Sequence, residues 1–202
     1  SGSSKEALQR EAMEYMGEWL AEQSNGEISM EIFHSMQLGG EKEALEQVQL
    51  GALEMTRVSV GVVGPIVDDF NAFNLPYVFR SIDHMRNVVD GEIGQELLAG
   101  LEAGGLIGLG YMDAGARSFY NKERPIRTPA DLEGLKIRSQ EASVHLDMFR
   151  AMGANPIEMA VPEVLPSLKQ GVVDGFSNTP LFAFAVSWYQ GVKYFTVTNH
   201  IY

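Results

Sequence analysis

Apolar residues between Leu8 and Trp19 (Leu8, Ala12, Tyr15, Met16, Trp19) recur at the three- and four-residue spacing of one helix face. Ser3-Ser4-Lys5-Glu6 ahead of them has the form of a capping box, and Asn25-Gly26 behind them suits a left-handed helix end. The spacing then turns to alternation. Ile28, Met30 and Ile32 are separated by single polar residues, which predicts a strand over 27–33. A helix is predicted over Glu41–Leu50 and a strand over Leu53–Val60. A Pro- and Asp-bearing turn leads on to Phe73–Phe79. Residues 82–103 read as one helix closed by Gly104-Gly105, and the apolar run Leu106–Met112 as a buried strand.

From Pro129 on, short strands (136–138, 156–159, 172–176, 193–199) alternate with helices (143–152, 162–170, 180–191). This order argues for an α/β fold with a largely parallel sheet, because parallel strands need crossover helices. The chain passes from one sheet to another near 113–120. That gives a first α/β lobe over 1–115 and a second over 116–202.

Composition narrows the function. The 202 residues are 45% hydrophobic and 21% charged, ordinary for a globular chain. A net charge of -12 speaks against nucleic acid or an anionic membrane as partner. The absence of cysteine removes disulfides, thiolate metal sites and cysteine nucleophiles. The four histidines lie far apart, without metal-ligand spacing. No dinucleotide fingerprint, phosphate loop or serine elbow occurs, so neither cofactor nor metal is expected. No apolar run approaches the length of a membrane span, and no signal peptide is visible.

An acidic chain that binds an anion must oppose its own field locally, which makes well-placed arginines informative. Arg138 ends the strand motif Gly134-Leu135-Lys136-Ile137-Arg138. Its planar fork can donate two parallel hydrogen bonds to a carboxylate. Asn178 ends the next motif, Gly171 through Asn178. Ligands of α/β sheets bind beyond the carboxyl ends of strands, which is where both residues fall.

The stretch from Arg117-Ser118-Phe119 to Arg138 resembles the solute-binding proteins of TRAP (tripartite ATP-independent periplasmic) transporters. So do Met152-Gly153-Ala154-Asn155-Pro156, Gln170 through Gly175, Tyr194 through His200, Gln37 through Glu41 and Leu75 through Phe79. The resemblance implies a two-lobed, periplasmic-binding-protein-like α/β fold, with mixed, mostly parallel sheets flanked by helices and a ligand cleft between the lobes. The final strand would return towards the first lobe. It implies a secreted, periplasmic, monomeric receptor, not an enzyme, that delivers a small organic acid to TRAP membrane subunits. A sugar acid is favoured, with a keto acid or dicarboxylate next. The alternatives are a ligand-sensing module of the same fold, or an enzyme using Asp113 or Glu141 as acid/base. The chain is expected to be a processed one that lacks the family's first strand and C-terminal third.

The resemblance also assigns site positions. Arg138 matches the arginine that pairs with the ligand carboxylate. Arg117, in Gly115-Ala116-Arg117, matches a second arginine turned towards the ligand, the alternative being an ion pair between lobes. Asp113 would orient Arg117 or accept from a ligand hydroxyl. Asn178 matches a carboxylate-binding amide, and equally suits a cap for the helix after it. Glu141 would accept from ligand hydroxyls or favour a helix dipole. Ser59 stands where some sialic-acid binders carry glutamate, which argues against that ligand. Val161 stands where an aromatic often stacks on the ligand, so that contact is missing. Glu41 is expected chiefly as a helix cap, and Trp188 and Tyr189 as packing or hinge residues.

Overall fold

The computed structural model describes residues 5–34 and 36–202, with side chains from Arg10 onward. The expected capping box at Ser3–Glu6 lies outside the described residues. Residues 5–115 form helices α1 (Lys5–Gln23), α2 (Glu41–Gln49), α3 (Val60–Val63), α4 (Ile82–Val89) and α5 (Glu92–Gly100), with 3-10 turns at Asp68–Asn74 and Leu101–Gly104. The rest contains β1 (Arg117–Asn121), β2 (Lys136–Ser139), α6 (Ser143–Ala151), β3 (Asn155–Glu158), α7 (Val161–Gln170), β4 (Gly175–Asn178), α8 (Pro180–Ala185) and β5 (Tyr194–Ile201). The protein is thus α/β, with one described sheet flanked by helices.

The sheet order is β3-β2-β4-β1-β5. Strands β3, β2 and β4 are parallel neighbours, joined by helices as the alternation predicts. Strand β1 runs antiparallel to both β4 and β5, so the sheet is mixed, with β1 opposed to the shared direction of the other four strands. The reason is its entry: β1 arrives from the helical region, with no crossover helix to align it. The register of β4 also departs from expectation, starting at Gly175. Gly171, at φ 78, ends α7, and the apolar pair after it belongs to the turn.

Packing separates into three apolar clusters. One is built around Phe70, Phe73, Phe79 and Leu98, and only Tyr202 joins it from the far end of the chain. The other two lie on opposite faces of the sheet, as alternation along β1 requires. Phe119 packs with Ile137 and Phe149 on one face, and Tyr120 with Phe176 and Trp188 on the other.

Three expected strands do not form. Residues 27–33, 53–60 and 106–112 join no ladder among the described residues. Ile28, Phe33, Ile107 and Leu109 are exposed. Alternation marks a chain suited to a half-buried sheet, but a strand also needs a neighbour to accept its backbone bonds. The expected helix over 82–103 breaks at Asp90-Gly91. Any Cβ on Gly94 would collide with the backbone of Val89, so this glycine lets the start of α5 lie tightly on the end of α4. The last strand reaches the helical region, where the Tyr77 N–H donates to the His200 carbonyl at 2.8 Å.

Candidate functional site

Arg138 lies on β2, the central strand of the parallel trio, opposite Ile157 on β3 and Phe176 on β4. Ile137 faces one core, so alternation turns Arg138 to the other. There its guanidinium sits 5.1 Å from the centroid of the Trp188 ring. Its Nε donates to the Met159 carbonyl at 2.9 Å, and the residue is only 3% exposed. Burial, then the nearby Arg117, pushes it down to about 9, which leaves it charged at neutral pH. Trp188 is a core residue, as expected, but it is also the floor beneath Arg138.

Arg117 opens β1. Its guanidinium donates to Gln140 Oε1 at 2.5 Å, to the Ser177 carbonyl at 3.3 Å and to Ser59 Oγ at 3.4 Å. Burial pushes it down to about 10, against the pull of Glu41. These neutral acceptors orient Arg117, the task expected of Asp113. Asp113 instead accepts from Arg86 at 2.8 Å and from the Gly115 amide at 2.7 Å. The ion pairs among the described residues are Arg10–Glu14, Arg86–Asp113, Arg150–Asp147 and the pairs of Asp174 with Lys122 and Lys136. Arg117 and Arg138 are in none of them, so the expected alternative of an inter-lobe ion pair for Arg117 is not what holds it.

The helical region reaches the site through helix starts. The Ser59 N–H donates to Glu41 Oε1 at 2.9 Å, which ties α2 to α3. Glu41 therefore braces a neighbouring helix, beyond the capping expected of it. The Ser59 hydroxyl donates to Gln140 Oε1 at 3.2 Å. Glu41, Arg138, Gln140, Glu141 and Val161 share one cleft, whose free space of about 10 Å³ admits a single water. Any larger ligand must part the walls. Glu141 precedes α6, and its carboxyl is raised by burial and by Glu43. Asn178, buried at the end of β4, accepts from the Thr179 N–H at 2.8 Å. The cap of α8 is Thr179 and not Asn178.

Three polar residues escaped the sequence reading. Gln140 lies two positions beyond Arg138, so strand alternation was a signal for it. His145 and His200 are brought to the arginines only by the fold. His200 lies 2.8 Å from both Ser177 Oγ and Thr198 Oγ1 and stacks on Phe119. Burial, then Arg117, holds it down to about 3. Burial, then Arg117, His200 and Arg138, holds His145 down to about 2, and its Nε2 has no partner. Both rings are neutral at pH 7, so the positive charge here is that of buried Arg138 and half-buried Arg117. Such a pocket attracts an anion.

The profile of the bacterial extracellular solute-binding proteins, family 7, matches residues 2–202. The chain belongs to that family. The C4-dicarboxylate-binding periplasmic protein DctP of Rhodobacter capsulatus is 40% identical over 187 residues, 92% of this chain and 56% of that relative. A TRAP periplasmic solute-binding protein of Pseudomonas putida F1, solved with bound D-glucuronate, superposes with a TM-score of 0.93 at 44% identity. The match takes in 100% of this chain and 65% of that one. A TRAP solute-binding protein of Polaromonas sp. JS666, bound to D-erythronate, gives a TM-score of 0.89 at 36% identity, over 92% of this chain and 61% of its own. This family 7 chain therefore spans roughly three-fifths of the lengths of these relatives. The described residues contain no helix long and apolar enough to cross a membrane.

Proposed function

We propose that this chain carries the acid-gripping site of a periplasmic TRAP solute receptor. It captures a small organic acid, in preference a sugar acid, and delivers it to the TRAP membrane subunits. The carrying observation is a buried Arg138 lining the cleft and a half-buried Arg117 beside it, neither with an ion-pair partner among the described residues. Relatives solved with D-glucuronate and D-erythronate support the sugar-acid reading over a plain dicarboxylate. Arg138 grips the carboxylate through two charge-assisted bonds, over the Trp188 face. Arg117 and Asn178 bind beside it. Glu141 and Ser59 accept ligand hydroxyls, Asp113 holds the turn leading to Arg117, and Val161 forms an apolar wall. The site forms where a first lobe, 1–115, meets a second, 116–202, and an acid that bridges the two favours their closed arrangement. The receptor works as a monomer, with no chemistry on its ligand.

The test is a thermal-shift screen of the full-length protein against D-glucuronate, D-erythronate, 2,3-diketogulonate and succinate. A sugar acid is expected to raise the Tm most. Arg138→Ala is expected to weaken that acid by at least about 100-fold, since each of the two lost bonds contributes about 1.5–3 kcal/mol. Its apo Tm should stay within a few degrees. Wild-type affinity in this variant would overturn the assignment.

A further inference from the structure

We infer that Gln140 is a specificity-determining residue whose side-chain amide reads an oxygen on the carbon next to the ligand's carboxyl group. This deepens, and rests on, the reading of the site as an acid receptor. The orientation of the amide is fixed by chemistry. Arg117 has donors only, so the end of Gln140 that meets Nη2 at 2.5 Å is the oxygen. The Ser59 hydroxyl donates to the same oxygen. The NH2 group must then point the other way, and there it finds nothing. Nε2 is a buried donor without a partner, on a residue only 6% exposed. Buried donors in folded proteins are nearly always satisfied by protein, water or ligand.

Nε2 lies against Gly61, where any Cβ would overlap it, so only glycine at this point of α3 lets the amide stay. Gln140 lines the cleft together with Arg138. Gln140 follows the last residue of β2, two positions after Arg138, so both side chains reach the same cleft. A carboxylate held by Arg138 thus brings its neighbouring carbon towards the amide. An oxygen there accepts from Nε2, whereas a CH2 group leaves it unpaired. The site is accordingly built for 2-hydroxy acids and uronates over acids with a bare methylene beside the carboxyl.

Isothermal titration of the full-length protein with D-erythronate and with 3,4-dihydroxybutanoate, which lacks only the 2-hydroxyl, tests this. The wild type is expected to prefer erythronate at least tenfold. Gln140→Met removes both the donor and the acceptor that holds Arg117, so both acids should weaken, but the preference for erythronate should fall below threefold. A second reading needs no stable variant. In 15N-labelled wild type, the Gln140 side-chain amide resonances should shift with erythronate and not with the deoxy acid. An unchanged preference in Gln140→Met, or amide resonances indifferent to erythronate, overturns the role of Gln140 while the receptor reading stands. If the wild type binds neither acid, both fall together.

Discussion

Residues 5–115 and residues 116–202 handle polarity in opposite ways. Of the buried polar residues among those described, only Asn74 lies in the helical part, while the others, from Ser118 to His200, all lie in the sheet-bearing part. The difference follows from scaffolding. A laddered sheet fixes backbone donors and acceptors, so the Met159 and Ser177 carbonyls are in place to meet two guanidinium groups. The helical part lacks a ladder and buries apolar side chains, contributing only what its helix starts project: the Glu41 carboxylate and the Ser59 hydroxyl. One part supplies the two arginines, and the other meets them with a carboxylate and a hydroxyl.

Truncating one aromatic core in each part sharpens this division. Trp188→Ala and Phe73→Ala should each cost about 3–5 kcal/mol in urea unfolding. Only Trp188→Ala should also weaken acid binding, because it removes the floor under Arg138. Equal binding losses in both would erase the contrast. The next effect is acid sensitivity. Because His145 and His200 are held far below their usual value, the unfolded chain binds their protons first. Their contribution to stability is intact above pH 6.5 and is lost as pH falls below it. Between pH 6.5 and 5 each histidine should cost about 2 kcal/mol. Urea unfolding at those two pH values should show His145→Asn recovering about half of the loss, and no recovery would place the acid sensitivity elsewhere. Gly61→Ala comes third. It drives a methyl into Gln140 where the two parts meet, and should cost about 1–3 kcal/mol by thermal unfolding. The smallest effect belongs to the unladdered chain. Ile107→Ser should change stability by less than about 0.5 kcal/mol, since the side chain is 79% exposed. A larger loss would mean that this segment is packed in solution.

What the sequence disclosed follows the same division. The helices at 41–49, 143–151 and 161–170 were legible because an amphipathic face is a local property. The strands over 27–33 and 106–112 were misread because a ladder depends on a distant partner that alternation does not name. The strand near Asn178 was placed early for another reason. Val172 and Val173 are apolar, yet they lie in a turn, and pairing begins at Gly175, where any Cβ would strike the backbone of Tyr120 and Asn121. Within the site, Arg138 stood out because few side chains suit a carboxylate, and Arg117 through the family resemblance of Gly115-Ala116-Arg117. Thr179 took the capping role that Asn178 was equally suited to fill. His145 and His200 left no trace, since nothing local joins them.

The Tyr77 N–H, held by the His200 carbonyl, sits at a seam between the two parts. The same residue anchors its ring there too, since its hydroxyl donates to the Thr198 carbonyl at 3.3 Å. On the proposed reading, in which the cleft opens for a guest, this fastening either persists as a pivot or snaps. A pivot means that the halves swing, like a door on its jamb, and that deuterium reaches the Tyr77 amide slowly whether the site is empty or full. A snapped bond means that they drift apart, and that the ligand-free protein exchanges this amide quickly.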